Sequence, residues 1–379
     1  MSKKQLSALI ICSLVPWTLG NGLLPLLPVY ATHLGASPTL AGYYLSITYL
    51  ALALGTLAAG WLSDRFGRRK RWLIVASLSS VPVTWLTGQV ANVWQLTALT
   101  AVGWFLGGLG LGMIMILAGL FAGPGERGKV FGTLALTNAL GAVIGGLGFG
   151  AIADRWSYPA LFAALAGVNA ILPLASLLLE DRPVLRPKAA VSANAPSRLG
   201  QGFFLLLAAG VIANVGLFVG GLATSLAMNR LDFLAAEISS TAAVSGLVAL
   251  PLSPWLGRLS DRIGRKGLLG LCYLTGGLGL ATLALSTRLW HFWLAAALRA
   301  PAAYVVLGIG SALATDLVPK ESLGKGLAAF NTTAWLGGIL GFALGGYAIQ
   351  TFGQNPALIA AIVFTLGAIL LLLPIRQPR

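Results

Sequence analysis

Two copies of one polar string hold most of the chemistry this chain can offer. Gly60 to Lys70 reads GWLSDRFGRRK, and Gly257 to Gly267 reads GRLSDRIGRKG. In each copy an aspartate, Asp64 or Asp261, stands beside arginines (Arg65 and Arg68; Arg262 and Arg265) and between glycines (Gly60 and Gly67; Gly257 and Gly264). A carboxylate so placed can accept hydrogen bonds from a helix N-terminus or from an arginine fork. The outer glycines, Gly60 and Gly257, let helices approach closely. The following Arg69, Lys70 and Arg71 read more simply, as loop charges that orient the chain.

The other reactive side chains do not assemble into a catalytic site. The ten acids are Asp64, Glu126, Asp154, Glu180, Asp181, Asp232, Glu237, Asp261, Asp316 and Glu321, all in loops or at the ends of apolar runs. His33 and His291 fall at loop edges, and Cys12 and Cys272 lie alone inside apolar runs. No nucleophile–base pair, metal-ligand spacing or disulfide framework results, so neither an enzyme nor a metal or other cofactor is expected. The glycine-rich string from Gly107 to Gly112 sits inside an apolar run with no strand before it, and so fails as a dinucleotide fingerprint. One charge is out of place. Arg299 lies about 15 Å down an apolar run from Leu289, at the helical rise per residue. A guanidinium near the bilayer middle costs at least about 2.5 kcal/mol. It must find water, freed carbonyls, a neighbouring helix or an anion.

What positions these residues follows from composition. Of 379 residues, 57% are hydrophobic and 9% charged, with a mean hydropathy of +0.85. Soluble domains carry about 25% charged residues, so the solvent for most of this chain is lipid. The net charge of +15 does not mark a nucleic-acid binder, because the basic residues sit in short loops between apolar runs instead of on one polar face. Twelve runs reach the roughly 20 residues of a membrane span: 6–30, 38–62, 72–91, 95–121, 129–152, 157–179, 202–228, 236–257, 267–287, 289–314, 325–350 and 355–375. The first is too long for a cleaved signal, and Pro16, Pro25 and Pro28 make it a bent helix. With the N-terminus inside, all but four of the 25 Lys and Arg residues fall on the inner side. The expectation is an all-helical inner-membrane protein with both termini cytoplasmic.

The chain is also a repeat. Gly60, Leu62, Ser63, Asp64, Arg65, Gly67 and Arg68 recur 197 residues later, and Gly141, Gly145 and Gly150 recur 196 later as Gly337, Gly341 and Gly346. A six-span unit is written twice, as 1–180 and 202–379, joined by a polar linker at 181–201. The doubled G-x-L-S-D-R-x-G-R loop resembles the signature loop of the major facilitator superfamily, over nearly the whole chain. That resemblance implies two pseudo-symmetric six-helix bundles rocking about a central site, with Asp64 and Asp261 as latch residues.

A second resemblance is narrower. From Gly132, the run GTLALTNALGAVIGGLGFG keeps the glycine spacing of the motif in the family's exporters: Gly132, Gly141, Gly145 and Gly150. Gly146 stands in the place of its proline, and Phe149 in the place of one glycine. Ordinary small-residue helix packing accounts for the same spacing, there and at Gly337, Gly341 and Gly346.

The polar and aromatic residues inside the spans are the candidate substrate contacts: Asn21, Tyr49, Trp104, Asn138, Asn214, Arg299, Asn331 and Trp335. Trp104 occupies the place of an arginine found in many proton-coupled relatives. With no acid at mid-membrane, coupling runs through end-lying acids such as Asp154, Glu237 or Asp316, or the transporter is not proton-coupled. The expectation is a monomeric transporter in contact with lipid, moving a small organic solute by alternating access, with export of amphipathic compounds leading. A facilitator of an anionic or zwitterionic metabolite and a lipid-handling protein are the alternatives.

Overall fold

The computed structural model describes residues 2–123, 126–181, 199–319 and 322–375. The expected linker at 181–201 lies, apart from its ends, outside the described residues. Fifteen α-helices follow in chain order among the described residues. They are α1 (Lys3–Leu23), α2 (Leu27–His33), α3 (Pro38–Phe66), α4 (Arg69–Thr87), α5 (Val93–Phe121), α6 (Arg127–Arg155), α7 (Tyr158–Asn169), α8 (Ile171–Leu177), α9 (Gln201–Arg230), α10 (Ala235–Ile263), α11 (Arg265–Ala284), α12 (Leu289–Ala300), α13 (Val306–Leu317), α14 (Leu323–Phe352) and α15 (Gln354–Leu372). No strand occurs among the described residues. In lipid a spanning backbone must have its hydrogen bonds satisfied, and a helix does this within its own segment.

Three expected runs are each built from two helices, and proline stands at the breaks. Pro25 and Pro28 flank the step from α1 to α2, and Pro173 sits in the first turn of α8 just after α7 ends. Pro301 opens a π-turn, Pro301–Val305, between α12 and α13. Proline lacks the N–H that the ladder needs, and the wider turn absorbs the loss. Among the described residues, eleven helical runs are long and apolar enough to cross a membrane. The exception is α4, where Arg69, Lys70 and Arg71 occupy the first turn and shorten the apolar length.

Two compact units form. The first comprises Met1–Gly35, Ile47–Ala193 and Leu234–Ala243; the second comprises Ala36–Ser46, Asn194–Phe233 and Val244–Arg379. Thus α3 and α10 are each shared, their first turns belonging to one unit and their remainder to the other. The core of the first unit gathers Leu9, Cys12, Leu73, Met113, Ile114, Leu117 and Leu134. That of the second gathers Phe203, Leu206, Leu268, Tyr273, Leu313 and Phe330. Large apolar side chains such as Leu57, Leu78, Leu174, Val363 and Leu370 remain exposed, as a lipid-facing surface requires.

The tightest crossings are glycine-lined. A Cβ on Gly141 would lie 2.6 Å from the Thr18 nitrogen, and one on Gly145 would lie 2.7 Å from the Gly22 Cα, so α1 and α6 meet almost backbone to backbone. In the second unit Gly337 faces Asn214, and Gly341 faces Val215 and Phe218, which brings α14 onto α9. Each pair is a G-x-x-x-G step, two small residues on one helix face. Gly132, grouped with these by spacing, departs: nothing lies within 4 Å of a Cβ built there. It sits near the start of α6, on an exposed face that no helix among the described residues covers.

Candidate functional site

The first signature loop is a turn held from within its own unit. α3 ends at Phe66, and Gly67 takes a φ of 63°, a conformation that favours glycine. Its N–H donates to the Ser63 carbonyl at 3.1 Å, closing the helix. The side chain of Arg69 folds back into the turn. Its Nε donates to Ser63 Oγ at 2.9 Å and its Nη1 to the Gly67 carbonyl at 3.4 Å, and the residue is buried. The Lys70 N–H donates to Asp181 Oδ2 at 3.0 Å. Arg69 and Lys70 are therefore structural members of the loop. The reading of them as mere orienting charges is corrected, because each has a partner that sequence spacing does not show.

The second loop is one residue shorter. Gly264, with a φ of 98°, alone separates α10 from α11, and Arg265 begins the next helix. Arg265 Nη1 bridges the end of α13, donating to the Ala312 carbonyl at 2.8 Å and to Asp316 Oδ1 at 2.7 Å. Asp64, Arg65, Arg68 and Arg262 are exposed. Arg65 lies over the Trp61 and Phe66 rings, each centroid 5.7 Å away. The side chain of Asp261 is outside the described residues. Gly60 and Gly257 were expected to admit a neighbouring helix, yet a Cβ on either would meet nothing within 4 Å. In this conformation no described neighbour comes near, so close approach is not what these two glycines serve here.

Within the spans the structure joins some candidates and separates others. Asn21 Nδ2 donates to both the carbonyl and Oδ1 of Asn138, at 2.9 and 2.6 Å, tying α1 to α6 three residues from the Gly141 crossing. Tyr49 and Trp104 pack with ring centroids 5.3 Å apart. In the second unit Asn214 donates to its own helix, at the Gly210 carbonyl. Asn331 is exposed, and Trp335, one turn on, is half-buried.

Arg299 is embedded among α9, α11 and α12. Its Nη2 donates to Thr224 Oγ1 at 2.9 Å and its Nε to the Ala295 carbonyl at 3.2 Å. Thr224 in turn donates to the Gly220 carbonyl at 2.7 Å. Two glycines make room for the guanidinium and its stem. A Cβ on Gly220 would run into the Leu280 side chain first and also come 3.1 Å from Nη1, and one on Gly279 would come 2.7 Å from Cγ. Sequence reasoning missed Thr224, Gly220 and Gly279. Only the empty space opposite an intramembrane arginine could have pointed to the glycines.

The helical layout, the paired signature turns and the repeated glycine crossings define a transporter scaffold. The family model for the Major Facilitator Superfamily matches residues 8–231 and again 204–379, and the chain belongs to that family. It is a multi-pass membrane protein. It is similar to a protein named multidrug resistance protein MdtG from Serratia proteamaculans, 31% identical over 71% of this chain and 68% of that one. The MdtG of Klebsiella pneumoniae is 32% identical over 65% of this chain and 63% of that one. Among solved structures, the nucleoside transporter NupG superposes with a TM-score of 0.76 at 16% identity, covering 99% and 98% of the two chains. A POT family transporter in complex with 5-aminolevulinic acid reaches 0.81 at 13% identity, covering 97% and 95%. At such identities the likeness is one of fold.

Proposed function

We propose that the chain exports amphipathic, drug-like solutes across the cytoplasmic membrane by alternating access. The observation that carries this reading is the similarity to MdtG, a multidrug resistance protein by name, at 31% identity. Twelve crossings in two six-helix bundles, with α4 as the twelfth, and both termini cytoplasmic complete the proposal. The protein acts as a monomer surrounded by lipid, without a catalytic step. The Asn21–Asn138 pair and the Tyr49–Trp104 pair offer what an amphipathic solute needs, amide groups for its polar end and rings for its apolar body. Asn214, Asn331 and Trp335 are the remaining proposed contacts. Arg299 belongs to this set less directly, since its hydrogen-bond partners are the Ala295 carbonyl and Thr224 Oγ1. Asp64 and Asp261 are the proposed latch, together with Arg65 and Arg68 of the first signature string and Arg262 and Arg265 of the second.

The deciding experiment is flux in proteoliposomes over a panel of cationic, neutral and anionic amphiphiles, with and without an imposed pH gradient. Export of neutral or cationic amphiphiles supports the proposal. Movement of small anions alone would replace it with the facilitator reading.

A further inference from the structure

The two helices shared between compact units are shared at equivalent places. α3 passes from one unit to the other between Ser46 and Ile47, and α10 between Ala243 and Val244, 197 residues further on. A continuous helix is stiff, so units that move as bodies must release one end of it. Its short tip is the end with less to hold it. What holds that tip therefore decides when movement occurs.

The α10 tip is held on α6 by a glycine-lined contact and a carboxylate. Ser239 Oγ donates to the Gly146 carbonyl at 2.8 Å, and a Cβ on Gly146 would lie 2.7 Å from the Ser239 carbonyl. Beyond this contact Asp154 closes the helix end. Its Oδ1 accepts from the Ala235 N–H at 2.9 Å, and its Oδ2 from the Ala236 N–H at 2.8 Å. A carboxylate on two free N–H groups at a helix N-terminus is both charge-assisted and aligned with the helix dipole. The repeat copies the device in weaker form. Gln350, 196 residues after Asp154, accepts through Oε1 from the Thr39 N–H at 3.0 Å in the first turn of α3. There Gly42 lies against Gly346, and Ser46 Oγ donates to the Ile339 carbonyl at 2.8 Å. One side thus has a charged, two-bond cap and the other a neutral, single-bond cap.

We propose that Asp154 is a positioning residue of the transport cycle, its carboxylate holding the first turn of α10 on α6 in this conformation and releasing it when the units move, with Gln350 as its neutral counterpart on α3. The proposal rests on the alternating-access reading, and it assigns the start of α10, the end of that helix away from its signature turn, a latch of its own. Glu237 serves a different end. Its Oε2 accepts from the Leu234 N–H at 2.9 Å, a bond within α10's own start that does not reach α6.

The test reads the α6–α10 contact directly. In full-length protein with Cys12→Ala and Cys272→Ala, Ser239→Cys places a thiol at a position that is buried in the structure. In nanodiscs its reaction with a soluble maleimide reports release of the tip. Asp154→Ala should raise the labelling rate about tenfold or more, and Asp154→Asn, which keeps one acceptor, should fall between. Glu237→Gln should leave it unchanged. Transport by Asp154→Asn should show an altered kcat with unchanged KM, and Asp154→Glu should restore much of the parent behaviour. Unchanged labelling in Asp154→Ala with a parent-like melting midpoint would overturn the proposal. So would an equal rise in Glu237→Gln, which would mean simple fraying of the helix start. If Asp154→Ala does not fold, Asp154→Asn carries the same requirement of faster labelling. Labelling that depends on Asp154 in a protein that moves no solute would leave the latch standing and remove the export reading instead.

Discussion

Lys70 and Lys266 end the same helix in the two repeats. Lys70 Nζ donates to the Leu177 carbonyl at 2.7 Å, on the last residue of α8. Lys266 Nζ donates to the Leu373 and Ile375 carbonyls at 2.6 and 3.0 Å, just beyond α15. Both the lysines and the carbonyls at 177 and 373 stand 196 residues apart. An ammonium on free C-terminal carbonyls satisfies groups the helix cannot, and it opposes the helix dipole favourably.

Lys70→Met and Lys266→Met should therefore each destabilise the folded protein by about 0.3–1 kcal/mol. The two bonds lie in different units with no shared partner, so their effects should add. Thermal unfolding of the single and double variants in one detergent checks both points. A double variant no worse than either single would show the two bonds to be coupled.

The glycine crossings separate packing from spacing. Gly145→Ala places a methyl 2.6 Å from the Thr18 carbonyl oxygen and 2.7 Å from the Gly22 Cα, both backbone, which cannot swing aside. It should cost about 1–3 kcal/mol, as overpacking does. Gly132→Ala meets open space within α6 and should be neutral or stabilising by up to about 1 kcal/mol. Melting midpoints of the two variants should move in opposite directions or differ by several degrees.

Thr224→Val tests what Arg299 is for. The valine keeps the shape of the side chain and removes the hydroxyl that accepts from Arg299 Nη2. Loss of a hydrogen bond to a charged group should cost about 1.5–3 kcal/mol of stability. Solute affinity should not change if the arginine is a tie between helices. Arg299→Lys keeps the charge but loses the fork that reaches both Thr224 and Ala295, and should also destabilise. Lost affinity at an unchanged melting midpoint in Thr224→Val would move Arg299 into the solute site.

Asp64→Asn should lower transport while leaving expression and solute binding largely intact. Asp64 is exposed near the end of α3 and is not among the residues of its unit's core. A parallel loss of folded protein would show it to be structural only.

Much of this was written in one dimension. Twenty-residue apolar runs forecast nearly every helix, because a continuous run of that length matches a spanning helix and is about twice a spanning strand. Pro25, Pro28, Pro173 and Pro301 stand at the breaks because the ring removes an N–H wherever it occurs. The repeat and its signature turns were legible too, as was the oddity of Arg299, a charge that no apolar run accommodates without a reason. The G-x-x-x-G steps at Gly141 and Gly337 announced close crossings.

Other features depend on which surfaces meet. Gly132 shares the spacing of Gly141 and Gly145, yet faces nothing, since a glycine packs only if a helix arrives. The motif alignment at an offset of 197 sets Lys266 opposite Arg69. The fold instead sets it opposite Lys70, because the second turn spends one residue, Gly264, where the first spends Gly67 and Arg68. Asp154 looked like any acid at a helix end until the first turn of α10, 81 residues on, supplied two N–H groups to it. Composition and periodicity determined that helices form and where they bend, because those are local balances of backbone and solvent. The partners of Asp154, Lys70 and Arg299 were decided by tertiary structure alone, since a hydrogen bond between distant residues leaves no period in the chain that encodes it.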